Sequence, residues 1–228
     1  MNADPGPSLE AAHLAFARSL GEVLRAKFSL GARARTVIAI AGESGSGKSI
    51  TATSLARVLT ADGRASAVLH QDDYFLRPPR ANHEHRCADL ATVGPHEVNL
   101  AALASHVAAF REGRDDVIAS LTDYPSDSFL TRRLDFGAVA VLVVEGTYVL
   151  RLDDADIRIF LEATHAETAE RRQRRNRDID APIIDRILAI EHALIAPQAN
   201  AAHIVIDREF EIRAGGTTIP TGERAKNG

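Results

Sequence analysis

Residues 42–49 read Gly-Glu-Ser-Gly-Ser-Gly-Lys-Ser, and no other stretch restricts the fold of this chain as much. The spacing is G-x-x-x-x-G-K-[ST], with every fixed position filled. It stands between a nearly unbroken apolar run, Thr36 to Ala41, and a helical pattern from about Gly47 to Thr60. An apolar run of that kind belongs to a strand buried on both faces, the habit of parallel sheets. Glycines at these positions let backbone N–H groups converge on phosphate oxygens, and the following helix adds the positive end of its dipole. Lys48 is placed to reach the β- and γ-phosphates of a nucleotide, and the Ser49 hydroxyl to coordinate Mg²⁺. Gly42, Glu43, Ser44, Gly45, Ser46, Gly47, Lys48, Ser49 and Ile50 therefore form the candidate ATP- and Mg²⁺-binding set.

The rest of the chain continues the alternation. Strands are expected at Ser66 to Gln71, Val117 to Leu121, Ala138 to Glu145, Asp156 to Leu161 and Ala202 to Asp207. Helical patterns cover Ser8 to Phe28, Glu97 to Arg111, Ala166 to Arg177 and Pro182 to Ile195, while Asp72 to Pro95 reads as a long polar segment. Strands separated by helices of this length predict an α/β fold with a mainly parallel sheet. Residues 1–34 read as a tail and helix, 35–210 as one domain, and 211–228 as a C-terminal tail. The N-terminal helix has two open roles, covering a sheet edge or mediating a homo-oligomer.

Composition narrows the function. At 228 residues with a net charge of −4, the chain suits one soluble domain and argues against nucleic acid as the partner. One cysteine excludes an internal disulfide and fits a reducing compartment. With no apolar run of about 18 residues and an acidic start without a signal-peptide pattern, the expectation is a cytoplasmic protein with no membrane segment.

Two carboxylate-bearing strand ends join the phosphate loop. Val143-Val144-Glu145-Gly146 closes the most apolar run, and a carboxylate at the C-terminal end of a central strand lies where open α/β sheets bind ligands. Glu145 is thus a candidate Mg²⁺ ligand beside Ser49. His70-Gln71-Asp72-Asp73-Tyr74-Phe75 ends the second strand and faces the same crevice. One of its carboxylates can take the proton of an attacking hydroxyl, and Asp72, the first polar residue past Gln71, is favoured over Asp73.

These motifs together resemble those of the uridine kinase and phosphoribulokinase group. GESGSGKS is similar to the group's phosphate loop, HQDDYF to its Q-D-S-F-Y and to the Q-D-D-F-F of nicotinamide riboside kinases, and VVEG to its F-E-G. The resemblance runs from about Arg35 to Asp207. It implies a P-loop NTPase fold with a five-stranded parallel sheet of order 2-3-1-4-5, and Asp72 as general base.

It also implies an arginine-rich lid at about residues 164–182. Twenty-seven basic residues include only three lysines, leaving 27 − 3 = 24 arginines, and Arg171, Arg172, Arg174, Arg175 and Arg177 crowd one segment. A face of guanidinium forks suits a polyphosphate and the charge of a phosphoryl-transfer transition state. The group's R-R-x-x-R-D maps onto Gln173, Arg174, Arg177 and Asp178, so Arg174 and Arg177 are the candidate catalytic arginines. The acceptor-reading segments diverge: Val93-Gly94-Pro95-His96-Glu97-Val98-Asn99 stands where uridine kinases carry D-H-P-D-A-F-D, and Tyr124 and Arg132 only echo the group's Y-D-F-x-x-H-S-R. Asp72, Tyr74, His83, Tyr124 and Arg132 are the candidate acceptor contacts. In an extended segment, His83, His85 and Cys87 would point one way as zinc-type ligands, with substrate contact by His83, His85 or Arg86, or a plain surface loop, as alternatives.

The expectation is an ATP-dependent kinase phosphorylating a hydroxyl of a small metabolite, first a uridine- or cytidine-like nucleoside. The alternatives are a regulatory P-loop NTPase, or a kinase of a sugar, sugar acid or larger acceptor.

Overall fold

The computed structural model describes residues 9–28, 30, 34–162 and 181–217. Its centre is β1 (Thr36–Gly42), in which all seven residues are buried. Alternate residues serve two separate cores, which is why no polar residue interrupts the run. Val37, Ala39 and Ala41 face one cluster with Leu103, Val107 and Phe110, while Ile38 and Ile40 face another with Leu20, Leu24, Leu55 and Leu59. Helices on both faces supply those partners: α1 (Leu9–Phe28) and α2 (Lys48–Ala61) on one side, and α4 (Leu100–Glu112) on the other.

β1 pairs in parallel with β5 (Val141–Glu145) and β6 (Ile157–Leu161); β2 (Ser66–His70) pairs with β5, and β7 (Ile204–Ile206) with β6. Numbered among themselves, these five parallel strands run 2-3-1-4-5, the order expected from the resemblance. The sheet has a sixth strand, β8 (Ile212–Ala214), which pairs antiparallel with β7. That strand lies inside the stretch read as C-terminal tail. Three residues with one apolar contact side are too short for a periodic signal, and tertiary pairing makes the strand. A separate hairpin, β3 (Val117–Asp123) and β4 (Ser128–Leu134), stands apart from the main sheet.

Two further expectations change. The polar segment after Asp72 is not a loop throughout: Pro79–Ala88 forms α3, started by prolines at the positions a helix tolerates. The second strand ends at His70, and Gln71–Tyr74 turns in a 3-10 helix. α1 lies against α2, with Leu20 and Leu24 fully buried and Arg25 paired to Asp62 at 2.6 Å. The last helix, α5 (Ala181–Ile195), leads through a 3-10 turn into β7. Among the described residues no helix is long and apolar enough to cross a membrane.

Candidate active site

The parallel register brings the C-terminal ends of β1, β2 and β5 level, so that Ile40, His70 and Glu145 stand side by side. The phosphate loop leaves β1 there. Its Gly47 caps α2 with a φ of 99°, a left-handed conformation that only glycine adopts cheaply. Gly42 is required by proximity: a Cβ there would lie 2.7 Å from Ser46 Oγ and 2.8 Å from the Leu161 carbonyl. Lys48 folds back to donate to the Glu43 carbonyl at 3.3 Å. Ser49 and Ile50, in the first turn of α2, are exposed.

Glu145 is buried at the floor of the crevice. One oxygen, Oε1, is 2.7 Å from His70 Nδ1, and the other, Oε2, is buried with no hydrogen-bond partner. Burial alone would push this carboxyl upward. The His70 bond, helped by the nearby Lys48 ammonium and the Ser49 hydroxyl, outweighs it and holds Glu145 below the usual carboxylate range. The same bond raises His70 above the ordinary imidazole value against its own partial burial. An orphaned carboxylate oxygen beside a serine hydroxyl is a hard oxygen donor set, and it fits Mg²⁺. Ser49 and Glu145 are the residues that would hold that ion.

Gln71 sets the distance between this floor and the acceptor side. Fully buried, it donates to Thr147 Oγ1 at 2.9 Å and accepts from the Tyr148 N–H at 2.7 Å. A Cβ on Gly146 would meet the Gln71 Cβ at 2.2 Å, so the glycine after Glu145 is a packing requirement.

The two adjacent carboxylates diverge. Asp72 is partly open and accepts the Tyr124 hydroxyl at 3.0 Å, with its own carbonyl bonded by Thr122 Oγ1 at 2.8 Å. Asp73 is buried; it accepts the Thr122 N–H at 2.9 Å and pairs with Arg132 at 3.1 Å. Asp73 thus anchors the β3–β4 hairpin, and the hairpin in turn delivers Tyr124 to Asp72. Asp72 is left as the carboxylate facing the crevice.

Other candidates sit differently from expectation. Tyr74 belongs to the core, with its hydroxyl 2.7 Å from His106 Nδ1, and burial pushes its phenol well above the usual range. His83 and Cys87 lie one turn apart on α3, with Nε2 and Sγ 3.5 Å from each other. His85, two positions along a helix, projects elsewhere. The extended three-ligand arrangement does not form, and among the described residues no group of three such side chains could hold a metal. Arg174 and Arg177, with the lid arginines Arg171, Arg172 and Arg175, lie outside the described residues.

A model of the phosphoribulokinase / uridine kinase family matches residues 37–212. The chain belongs to that family. A bifunctional alpha-galactosidase/sucrose kinase from Mediterraneibacter gnavus is 32% identical over 192 residues, covering 78% of this chain and 20% of the relative. This chain therefore spans about a fifth of that relative's length. A uridine kinase from Ureaplasma parvum serovar 3 is 28% identical over 158 residues, 64% of this chain and 74% of the relative. Among solved structures, a possible uridine kinase from Bacillus stearothermophilus superposes with a TM-score of 0.58 at 17% identity, covering 84% of this chain and 97% of that one. A D-glycerate 3-kinase from Cryptococcus neoformans var. grubii gives 0.52 at 12% identity, covering 93% and 100%. At those identities the solved structures establish the fold.

Several residues of this family member's site escape sequence reasoning. His70 is adjacent to a recognised motif, but its partner is 75 positions away. Arg86, weighed from sequence as a substrate contact, instead binds Glu97 through two bonds of 2.5 and 2.8 Å and approaches Glu191 at 3.2 Å. His192 stands 2.6 Å from Glu43 of the phosphate loop. No local pattern marks such pairs; strand order joins His70 to Glu145, and the packing of helices and turns joins the others.

Proposed function

We propose that this chain transfers the γ-phosphoryl group of ATP to a hydroxyl of a small metabolite. The observation that carries the reading is the placement of Asp72: a half-buried carboxylate that accepts the Tyr124 hydroxyl in the turn after β2, where the strand ends level with Glu145 and with the end of β1 that opens into the phosphate loop. In this reading the loop amides and Lys48 hold the nucleotide phosphates. Asp72 takes the proton of the acceptor hydroxyl as its oxygen forms the bond to the γ-phosphorus, and the bond to the β-phosphate oxygen breaks to release ADP. Asp73 and Arg132 keep the hairpin against the base, and Arg174 and Arg177 supply positive charge to the transferring group. Mg²⁺, when bound at Ser49 and Glu145, neutralises phosphate charge.

The acceptor we propose first is a nucleoside, supported by the Q-D-D motif and the uridine kinase relatives. A carbohydrate acceptor is the second reading. It is favoured by the absence of the D-H-P-D-A-F-D segment and by the 32% identity to a bifunctional protein whose name includes sucrose kinase. An ATP-consumption screen over uridine, cytidine, nicotinamide riboside, mono- and disaccharides and sugar acids tests both. ADP release that requires one acceptor class, and a phosphorylated acceptor detected by mass spectrometry, are the expected outcome. ATP turnover that ignores every acceptor points to a regulatory NTPase and overturns the kinase reading.

A further inference from the structure

The segment 191–198 reaches α3, the phosphate loop and the turn after Glu145 with three polar side chains. Glu191 on α5 lies 3.2 Å from Arg86 of α3. The next residue, His192, stands 2.6 Å from Glu43 in the phosphate loop. Gln198 donates to the Thr147 carbonyl at 2.7 Å, two residues past Glu145. Adjacent residues on a helix point about 100° apart, so Glu191 and His192 reach different walls from one rigid element.

α3 belongs to the acceptor side. It follows the Asp72–Asp73 turn, and the Arg80 N–H donates to Asp127 of the β3–β4 connection at 2.7 Å. The Arg86 cluster that joins α3 to α5 is an expensive way to pack a helix. Glu97 and Glu191 are both buried and share one guanidinium, which also lies over the Phe75 ring. Burial, with Glu97 nearby, raises the Glu191 carboxyl despite Arg86. Asn82 Oδ1 and the Tyr148 hydroxyl are buried without a hydrogen-bond partner, Asn82 lying against Glu97 and Tyr148 close enough to sense Arg86, Glu97 and Glu191. Apolar side chains of similar volume commonly fill such a site with equal or greater stability. What a polar cluster supplies is a defined geometry.

We propose that Glu191, His192 and Gln198 are positioning residues, holding the acceptor-side helix α3, the phosphate loop and the Glu145 turn in one frame, so that a nucleotide seated on the loop fixes the place of α3. The inference rests on the proposed function for the identity of the two sides. Its test needs no acceptor.

The probe is Mg²⁺ with the non-hydrolysable analogue AMP-PNP, read by calorimetry, hydrogen exchange and thermal melting of the full chain. In the wild type, AMP-PNP slows exchange in the phosphate loop and also in Pro79–Ala88. Glu191→Met binds AMP-PNP within about twofold of wild type but loses the slowing in α3, while Glu191→Gln, which keeps an oxygen for Arg86, retains it. His192→Ala melts like the wild type, binds AMP-PNP about 2- to 30-fold more weakly, and loses the α3 response. The His192 side chain is 43% exposed, so this variant carries the test even where Glu191→Met fails to fold. An α3 that ignores AMP-PNP in the wild type overturns the inference, as does a Glu191→Met or His192→Ala protein that responds normally. A wild type that does not bind AMP-PNP overturns the proposed function itself.

Discussion

Replacing Asp73 by asparagine separates the anchoring carboxylate from Asp72, the proposed base beside it. The change keeps size and an oxygen for the Thr122 N–H, but removes the charge facing Arg132 at 3.1 Å. Exposed pairs contribute about 0.2–1 kcal/mol, and breaking a fully buried pair costs about 3–5 kcal/mol. Here the Asp73 side chain is 7% exposed and that of Arg132 25%, an intermediate case. A loss of about 2 kcal/mol follows, which for a chain of this size lowers the melting temperature by about 4–8 °C. Arg132, whose Nε and Nη2 are already buried without hydrogen-bond partners, would then also lose the opposing charge. Removing it as well, in Asp73→Asn/Arg132→Met, recovers part of the loss, because the orphaned cation is gone. In kinetics, Asp73→Asn loosens the hairpin and raises the acceptor KM more than it lowers kcat. Asp72→Asn leaves Tyr124 an acceptor and shifts stability by less than about 1 kcal/mol, yet slows kcat by about 10²–10⁴-fold. The assays are thermal melts and steady-state kinetics with the acceptor from the screen, alongside AMP-PNP affinity. Near-wild-type kcat in Asp72→Asn with a dead Asp73→Asn reverses the two roles. Additive losses in the double variant show that Asp73 and Arg132 are not coupled.

Lys48→Ala abolishes nucleotide turnover at a nearly unchanged melting temperature, since the hydrogen bond Lys48 makes to the Glu43 carbonyl is a long one of 3.3 Å; wild-type ATP consumption with acceptor present refutes the loop assignment. Gly146→Ala forces its Cβ against Gln71 and breaks two buried hydrogen bonds, so a urea midpoint lower by the equivalent of about 2–4 kcal/mol is expected. Burial holds His106 and His203 below the ordinary value of 6.5, so the unfolded chain takes up their protons first and stability falls as pH drops below that value. His70 works oppositely: its raised value stabilises below 6.5 and that contribution fades as pH rises through it. Urea midpoints across pH 5–8, flattened on the acid side by His106→Gln, check the sign.

The phosphate loop, the buried core strands and the carboxylate at the end of β5 were legible in the chain because each depends on neighbours along it, whereas the strand order was implied only by the family resemblance. A glycine run between an apolar strand and a helix has one economical conformation, and seven buried residues in β1 demand a sheet covered on both faces. The position of Asp72 followed from the end of β2 in the same way. The preference for Asp72 over Asp73 was read from that position too, but the partners that separate them were not, because Thr122, Tyr124 and Arg132 arrive on a hairpin about 50 residues later. Nor was α3, whose polar sequence carries almost no apolar stripe and is held by Arg86 on Glu97 and Glu191 from two distant segments. Periodicity reports which residues avoid water. It does not report which charged groups must meet in order to be buried, and in this chain tertiary structure decided those pairings.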